Sequence, residues 1–430
     1  MIINREEESL LLAAMRRASI LSPFWRNRFS ELGITQSDFV PGFDLGKLPF
    51  LSKADLLQDQ RNAPPFGNLL AIEPKDIRRI HKTSGTSATP FFIALTESDI
   101  ADTYVASIRA FTAAGMKSGD RVVHCLNFNM WSGGVTDYLP IEQMGVTAVP
   151  FGVGNTTLLL QTIQALQINA ISSTPSYMFA LRDRCVSELG INPTELGLRR
   201  GYFGGEGMLQ VPGVREEIEQ AFGMTAVDAN YGMSEVTSII AGEDSQRDGL
   251  VYHAHGILHA ELIDGQGRSI GIESGKKGEL VFSTLRRQGQ PLFRYRTNDL
   301  AEILSAREGE DGLVRFRFRI VGRSDEMLVI KGVNFFPQSL LSILNKFEPE
   351  IGREFRVVRP AGGKVEVLTI VLETQFPEGI RRDELGASIT ARISALLQIR
   401  VQILWQPSGS LGQTGNKTRF LVDDVSKFAR

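Results

Sequence analysis

Cysteine is scarce in this chain, with two residues in 430, and long apolar runs are missing. Cys125 and Cys185 lie far apart without a CxxC spacing or paired histidines, so we expect buried thiols in a reducing compartment. No stretch of about 18 apolar residues occurs, which argues against a membrane-spanning helix. The N-terminal "MIINREEESLLLAAMRRASIL" has three glutamates where a secretory signal needs basic residues, so we predict an amphipathic helix and a cytoplasmic protein.

Charge of one sign is not in excess, because the net charge is −2 with 22% charged residues. This balance argues against a general nucleic-acid or membrane-surface binder. The GxxxxGK[ST] motif of the common NTPases is absent as well. By contrast, 42 glycines exceed average usage and many fall in short loops, which is typical of an enzyme whose contacts are carried by loops.

Short β-branched runs alternate with helical patterns from about Asp120 onward. "RVVHCLNF" and "TAVPFG" predict strands, "TTLLLQTIQALQI" predicts a helix, and "NAISSTPSYMFALRDRCVSEL" predicts a strand, a turn and a helix. This rhythm is typical of an α/β fold with helices on both faces of a sheet. From "AELIDGQG" through "GELVFSTL" the helical patterns stop, and antiparallel hairpins are expected.

The last hundred residues predict a separate α+β unit. "KVEVLTIVLET" and "VQILW" are strand patterns, and "RDELGASITARISALLQI" is a helix with Leu385, Ile389, Ile393, Leu396 and Leu397 on one face. Charged residues around Asp325 interrupt two apolar runs in "RIVGRSDEMLVIKG". The sequence therefore predicts an α/β protein with a large N-terminal domain over 1–323 and a small mobile domain over 324–430.

The stretch "HKTSGTSATPFFIALT" concentrates hydroxyl groups in one turn, which contains Thr83, Ser84, Gly85, Thr86 and Ser87. Gly85 lets the backbone approach a ligand, and converging hydroxyl and N–H donors suit phosphate oxygens. Pro90 and "FFIAL" predict that a strand follows. Taken alone, the stretch is equally consistent with a Ser/Thr-rich surface turn.

Further motifs follow this loop in a fixed order, namely "YGMSE" at 231–235, "RYRTNDL" at 294–300, "VGRSDEMLVIKGVNFFP" at 321–337 and "GNKTRF" at 415–420. The set resembles the adenylate-forming superfamily of acyl-CoA ligases, peptide-synthetase adenylation domains and luciferases. The phenylacetate–CoA ligase branch is the nearer resemblance, on "LPFLSKADL", "PPFGNLLAIEPKDIRRIHKTSGT", "GVGNT", "STPSYM", "FGGE" and "GVNFFP".

The resemblance implies a ligase that uses ATP, Mg²⁺ and CoA with an aromatic carboxylic acid. The carboxylate would attack the α-phosphate of ATP to give an acyl-adenylate and pyrophosphate, and the CoA thiol would then displace AMP. An anion must attack a polyanion in the first half, so the site needs positive charge and aligned donors.

The resemblance also assigns roles to individual residues. Lys417 in "GNKTRF" would be the catalytic lysine, and Glu235 the Mg²⁺-linked glutamate. Tyr231 would lie on the adenine face, and Asp299 would accept both ribose hydroxyls. The remaining nucleotide residues would be the hydroxyl loop together with Gly204, Gly205, Glu206, Asp228, Asn230, Gly232 and Arg323. For the second half-reaction, Asp325 would be the hinge, and Lys331 and Gly332 would face CoA.

The acid pocket is predicted along "FNMWSGGVTDY" and beside the adenine motifs. Its expected lining is Phe128, Trp131, Gly133, Gly134, Tyr138 and Met233. The aromatic side chains offer flat apolar surface, and we expect the glycines to leave room for a ring, which suits a planar acid. No lysine or arginine lies in this loop to pair with a second carboxylate.

Three departures from the family pattern stand out. Ala88 and Thr89 replace the second glycine and the lysine of the usual "SSGTTGKP" loop, which bears on ATP affinity. Asn416 interrupts the usual "GKAxRV" context of the lysine. Three histidines follow "YGMSE" at 253, 255 and 259, and we expect them on an ordinary strand with exposed imidazoles rather than around a metal.

Two other functions fit the same motifs. The first is an adenylating enzyme that loads its acyl group onto the phosphopantetheine of a carrier protein. The second is a nucleotide-binding regulator that has lost turnover, an idea that Ala88 and Thr89 favour. Members of this branch often form homodimers, and the sequence leaves the oligomeric state open.

Overall fold

The structure is a computed structural model that describes residues 5–83, 90–330, 333–359, 367–397, 400–411 and 420–423. The chain divides into two compact units. Unit 1 comprises residues 1–209 and 215–321, and unit 2 comprises residues 210–214 and 322–430. Within the described ranges, no helix is long and apolar enough to cross a membrane.

The helices are α1 (Arg5–Leu21), α2 (Pro23–Glu31), α3 (Lys53–Asn62), α4 (Glu97–Ala113), α5 (Ser132–Gln143), α6 (Thr156–Ala165), α7 (Pro175–Arg184), α8 (Val214–Phe222), α9 (Leu341–Leu344) and α10 (Ile380–Leu397). The first ten strands are β1 (Arg79–Lys82), β2 (Phe92–Leu95), β3 (Arg121–His124), β4 (Thr147–Pro150), β5 (Ala170–Ser173), β6 (Arg200–Gly204), β7 (Thr225–Met233), β8 (Thr237–Glu243), β9 (Leu250–Tyr252) and β10 (Leu258–Ile263). The others are β11 (Ser269–Ile270), β12 (Lys277–Thr284), β13 (Tyr295–Glu308), β14 (Val314–Arg323), β15 (Leu328–Ile330), β16 (Val333–Phe335), β17 (Ile351–Val358), β18 (Val367–Thr374), β19 (Arg400–Pro407) and β20 (Leu421–Val422).

One mixed sheet runs through unit 1 in the order β11-β10-β12-β13-β14-β9-β8-β7-β6-β5-β3-β4. Strands β7, β6, β5, β3 and β4 pair in parallel. Strand β8 pairs antiparallel with β7, and β9 and β14 continue the antiparallel half. The predicted α/β rhythm and the later hairpins are therefore confirmed, and β7 is the strand where the two patterns meet.

An extensive apolar core lies against the antiparallel half of the sheet. Helix α1 buries Leu11, Leu12, Met15 and Ala18, which confirms the predicted amphipathic helix. Trp25 packs 4.7 Å from the Phe293 ring and donates its indole N–H to the Pro291 carbonyl at 2.8 Å. The buried indole thus gains apolar contact and keeps its hydrogen bond.

Unit 2 carries a sheet in the order β19-β18-β17-β20. Strands β17 and β18 are antiparallel, whereas β18 and β19, like β17 and β20, are parallel. Helix α10 buries Leu385, Ile389 and Ile393, as its periodicity predicts. The side chains of residues 396 and 397 lie outside the description.

The expectation of exposed imidazoles at 253–259 is wrong. His253 and His259 are buried, and His255 is half-buried. His253 Nε2 contacts the Gly242 carbonyl at 3.3 Å, and His259 Nδ1 contacts the Glu7 carboxylate at 2.6 Å. Because both partners lie on other elements, the sequence around the histidines gave no sign of them. Among the described residues no cluster of three His, Cys, Asp or Glu side chains is arranged to hold a metal.

Four buried groups in unit 1 have pKa values that lie between about 4 and 8 because of large shifts. Burial lowers the pKa of His81, His124 and His253 from 6.5 to about 4. Burial raises the pKa of Asp137 from 3.8 to about 8, against the hydrogen bonds from Ser238 and Asn230. Folded and unfolded chains therefore bind different numbers of protons between pH 4 and pH 8.

These shifts predict a maximum of stability near pH 6.5. As the pH falls from 6.5 toward 4, the histidines take up protons in the unfolded chain only, so the free energy of unfolding falls. Asp137 acts in the opposite direction, because its proton is kept by the folded chain until about pH 8. Above pH 6.5, Asp137 alone among these four groups still makes the free energy of unfolding depend on pH. Stability should therefore decline as the pH rises toward 8.

The measurement is the urea midpoint from pH 4 to pH 8.5 at constant ionic strength. His253→Gln should flatten the acid side, and Asp137→Asn should flatten the decline between pH 6.5 and pH 8. The comparison is of slopes, so a uniform loss of stability in either variant does not affect it. An unchanged alkaline slope in Asp137→Asn would contradict the assignment.

Candidate active site

Thr83, at the start of the hydroxyl loop, and Phe91, which follows the loop in sequence, are joined by two hydrogen bonds. The Thr83 N–H donates to the Phe91 carbonyl at 2.9 Å, and the Phe91 N–H donates to Thr83 Oγ1 at 3.2 Å. These bonds extend the antiparallel β1–β2 hairpin by one pair and bury Thr83. The Thr83 hydroxyl thus serves the hairpin as an acceptor. Residues Ser84, Gly85, Thr86 and Ser87 lie outside the described residues.

His81 connects the β1–β2 hairpin by hydrogen bonds to the stretch "FNMWSGGVTDY", where the acid pocket is predicted. Its Nδ1 lies 3.2 Å from the Met130 carbonyl, and its Nε2 lies 2.9 Å from the Thr136 hydroxyl. A neutral ring satisfies both contacts, with Nδ1–H donating and Nε2 accepting, in keeping with its lowered pKa. The Lys82 N–H also donates to the Met130 carbonyl at 2.9 Å. Sequence reasoning missed His81, although it opens the hydroxyl-rich stretch.

Trp131 precedes α5 and fills the space beside two glycines. A Cβ on Gly133 would lie 3.1 Å from the indole, and a Cβ on Gly205 would lie 3.3 Å from it. A Cβ on Gly134 would lie 2.4 Å from the Asn127 carbonyl oxygen, so α5 approaches the loop backbone closely there. The chain itself occupies this space, contrary to the expectation that Gly133 and Gly134 leave room for a substrate ring.

The other predicted acid-pocket aromatics cluster around His124. The Phe128 ring lies 5.7 Å from the His124 ring and 6.0 Å from the Tyr138 ring. The Tyr138 hydroxyl donates to Glu142 at 2.7 Å, and burial together with Glu142 raises the pKa of Tyr138 to about 12. Met233 instead packs against the apolar core of the antiparallel half. Phe128 and Tyr138 thus form one aromatic surface, and Met233 belongs to the apolar core instead.

The predicted nucleotide motifs meet at the carboxyl ends of β6 and β7. Gly204 is in register with Asn230, and a Cβ on Gly204 would lie 2.5 Å from the Asn230 Cβ. A Cβ on Gly232 would lie 1.9 Å from the Ser238 carbonyl oxygen. A larger side chain at either position would collide with neighbouring protein atoms. Glycine is therefore needed at both positions for packing, independently of any ligand.

Tyr231 and Asp299 are brought together from distant parts of the sequence. The Tyr231 hydroxyl donates to Asp299 Oδ2 at 2.8 Å, and the Tyr231 ring meets the edge of Phe318 at 5.6 Å. The backbone N–H of Asp299 donates to the Thr297 hydroxyl at 2.9 Å. The residues assigned to adenine and to ribose are thus direct neighbours and hold each other in place.

Glu235 forms an ion pair with Lys53, whose Nζ lies 3.0 Å from Glu235 Oε1. Glu235 is buried, whereas the Lys53 side chain is 36% exposed. Lys53 is the first residue of α3, and a capping box between Ser52 and Asp55 fixes that helix end. Sequence reasoning overlooked Lys53, although it lies within the motif "LPFLSKADL".

Two predicted nucleotide residues, Glu206 and Arg323, have other partners in this structure. Glu206 accepts the backbone N–H of Ser176 at 2.6 Å and so caps the start of α7. Arg323 contacts the Asp325 carboxylate with two nitrogens at 2.9 Å and 3.0 Å. Asp228 is buried in β7. Lys331, Gly332 and Lys417 lie outside the described residues.

The residues on either side of 412–419 are anchored in unit 2. The Leu411 N–H donates to the buried Glu373 carboxylate, and its carbonyl accepts from buried Arg356 at 3.2 Å. On the other side, the Val357 N–H donates to the Phe420 carbonyl at 2.7 Å. Two strands, β17 and β18, therefore fix both ends of the segment that contains position 417.

Comparison with known proteins places this geometry in a family. The model of AMP-binding enzymes matches residues 42–285, and the model of the AMP-binding enzyme C-terminal domain matches residues 332–424. The first match alone covers more than half of the chain. It includes the hydroxyl loop, the β6 and β7 motifs and Lys53.

Individual relatives agree with this match. The chain is 31% identical over 409 residues to a phenylacetate–coenzyme A ligase of Pseudomonas putida, covering 93% of this chain and 89% of the relative. It is 33% identical over 366 residues to a phenylacetate–coenzyme A ligase of Aromatoleum evansii, covering 84% and 79%. A solved structure of 2-hydroxyisobutyryl-CoA ligase in complex with 2-HIB-AMP superposes with a TM-score of 0.83 at 26% identity, over 98% of this chain and 90% of that one. The chain therefore belongs to the AMP-binding enzyme family.

Proposed function

We propose that this protein is an AMP-forming acid–CoA ligase whose substrate is an aromatic carboxylic acid. Relatives of this chain are phenylacetate–coenzyme A ligases, and this chain likewise activates a carboxylic acid with ATP as an acyl-adenylate and transfers the acyl group to CoA. The observation that carries the proposal is the pairing of Tyr231 with Asp299 beside Asn230 and Gly204, at the strand ends where the family motifs converge.

Tyr231 would cover the adenine, and Asp299 would accept the ribose hydroxyls. The hydrogen bond between these two side chains supports the assignment, because it fixes the Tyr231 ring next to the carboxylate that would hold the sugar. A carboxylate offers only acceptors, as two ribose hydroxyls require.

Glu235 would hold Mg²⁺, which would offset the negative charge of the phosphates when bound. The residues fit such an ion, because Glu235 is a buried carboxylate whose partner is a half-exposed lysine rather than a buried cation. Mg²⁺ characteristically uses one or two protein carboxylates and takes its other ligands from phosphates and water.

Lys53 would supply a positive charge that the hydroxyl loop lacks. The family loop has a lysine where this chain has Thr89, and Lys53 places an ammonium group beside Glu235 instead. A lysine at the start of a capped helix has a fixed Cα and a flexible side chain, so it can follow the phosphates through the reaction.

The acid would lie along the aromatic surface of Phe128 and Tyr138, with Trp131 as the third predicted aromatic side chain of the pocket. Similarity to phenylacetate–CoA ligases favours an aryl acid. The similar solved structure is of a 2-hydroxyisobutyryl-CoA ligase, so small aliphatic hydroxy acids belong in any test.

Residues 1–323 would form the domain that binds ATP and the acid, and residues 324–430 the smaller domain that carries Lys417 and the CoA-facing Lys331 and Gly332, with the hinge near Asp325. Lys417 would neutralise charge on the carboxylate and the α-phosphate during adenylation. Transfer to a carrier protein and a nucleotide-binding regulator without turnover are the alternatives that the experiments below distinguish.

The direct test is product formation with ATP, Mg²⁺ and a panel of aryl, hydroxy and short aliphatic acids, each with and without CoA, read by mass spectrometry. An aryl-CoA product supports the proposal. AMP or acyl-adenylate without a CoA thioester would assign the chain to carrier loading. A panel without AMP from any acid would count against catalysis and favour a nucleotide binder.

Lys417→Ala should reduce adenylation by about 100-fold or more, because the charge of the attacking carboxylate and of the phosphate would lose its neutralising partner. Thioester formation from a supplied acyl-adenylate should remain largely intact. The matched control is Lys427→Ala, at the other lysine near the C-terminus, which should behave as wild type. Adenylation by Lys417→Ala at the wild-type rate would show that the "GNKTRF" motif is wrongly aligned.

Lys53→Met should raise the KM for ATP about 10- to 100-fold, the range for a lost charged hydrogen bond, while the KM for the acid changes little. Glu235→Ala should instead raise the Mg²⁺ concentration needed for half-maximal rate. Lys47→Met, at an exposed lysine just before α3, is the control. If Lys53→Met leaves the KM for ATP unchanged, the ion pair with Glu235 is only structural.

A further inference from the structure

Asp137 is a completely buried carboxyl group that the reaction described above does not use. It lies on α5, one residue after Thr136, whose hydroxyl contacts His81. Its two oxygens accept from the Asn230 side-chain amide, on Oδ2, and from the Ser238 hydroxyl, on Oδ1. Both partners are neutral donors, and burial raises the pKa of the carboxyl group in spite of their hydrogen bonds. Such burial is costly, and an apolar residue would serve packing better.

The Asn230 partner lies where a nucleotide base would bind. Asn230 is half-buried, in register with Gly204 at the carboxyl end of β6, and it directly precedes Tyr231. Its Cβ is packed against the position of Gly204, which leaves the amide group as the part that can rotate. The direction of that amide therefore decides whether a donor or an acceptor faces the base.

We propose that Asp137 is a positioning residue that turns the Asn230 amide so that its carbonyl oxygen faces the base and selects a 6-amino purine. An amide has its oxygen and its NH₂ group on opposite branches, and Asp137 binds the NH₂ branch. An outward carbonyl oxygen accepts from the 6-amino group of adenine. It repels the 6-oxo group of hypoxanthine or guanine, which offers only an acceptor at that position.

The orientation of the Asn230 amide does not depend on whether Asp137 is ionised. In the ionised form both oxygens accept, from Asn230 and from Ser238. In the neutral form the proton can lie on Oδ1 and be donated to the Ser238 hydroxyl, while Oδ2 still accepts from Asn230. Ser238 thus lets the carboxyl group change its protonation without releasing the amide.

The test measures kcat/KM for acyl-CoA formation with ATP and with inosine triphosphate, which carries a 6-oxo group. The inference about Asp137 rests on the proposed ligase function. Wild type should prefer ATP by about tenfold or more, the range for one buried hydrogen bond gained or opposed. In Asp137→Asn the side chain can donate or accept, so the Asn230 amide can turn, and the ATP preference should fall about tenfold. A merely structural role would lower both rates and leave their ratio unchanged.

Two variants serve as controls. Asp183→Asn, at an exposed carboxylate on α7, should leave the ratio unchanged. Ser238→Ala removes the second partner of Asp137 but keeps the Asn230 contact, so it should lower stability and retain the ATP preference. The urea midpoint of each variant reports whether it is folded.

Each outcome is decisive. Wild type that uses inosine triphosphate as well as ATP overturns the inference without any variant, even where Asp137→Asn does not fold. An unchanged ratio in folded Asp137→Asn overturns it and leaves the ligase function in place. Absence of product with both nucleotides and every acid would overturn the ligase function, and the inference with it.

Discussion

The hydrogen bonds that hold helix α5 are the interactions on which the rest of the site depends. Ser132 contacts Ser234 of the "YGMSE" motif at 2.8 Å, Thr136 contacts His81 below the hydroxyl loop, and Asp137 contacts Asn230 and Ser238. The Gly133 carbonyl in turn meets His124, which contacts Ser172 on β5. One helix thus connects the hairpin of the hydroxyl loop, the parallel strands and the adenine motif, and a shift of α5 would disturb all three together.

Strand β7 makes this connection possible because it is parallel to β6 and antiparallel to β8. The parallel neighbour brings Gly204 beside Asn230, as expected where parallel strands end at one edge. The antiparallel half brings β13 and β14 within reach, so Tyr231 can contact Asp299 and Phe318. A purely parallel sheet would supply the edge with Asn230 and Gly204 but not the strand that carries Asp299.

Local patterns predicted the fold well, because strand and helix periodicity depend on neighbouring residues. The α/β rhythm, the hairpins, helix α1 and the buried face of α10 were all visible in the sequence. Long-range partners were not, since nothing near His259 indicates Glu7 and nothing near Glu235 indicates Lys53. The glycines show the same limit: the sequence indicates that Gly133 lacks a side chain, but only the fold shows that Trp131 occupies the space.

The distribution of charge in unit 1 suits a reaction between two anions. The groups that hold α5 and the loops are neutral or only weakly ionised at neutral pH, because burial lowers the pKa of His81 and His124 and raises that of Asp137. The charged side chains of the motifs, Lys53, Glu235 and Asp299, are those assigned to the phosphates, the metal and the ribose. A neutral framework does not compete with these charges, and in a poorly solvated site each charge acts more strongly than it would in water. Around α5 the buried polar groups therefore set the geometry, while Lys53, Glu235 and Asp299 would set the electrostatic field at the strand ends.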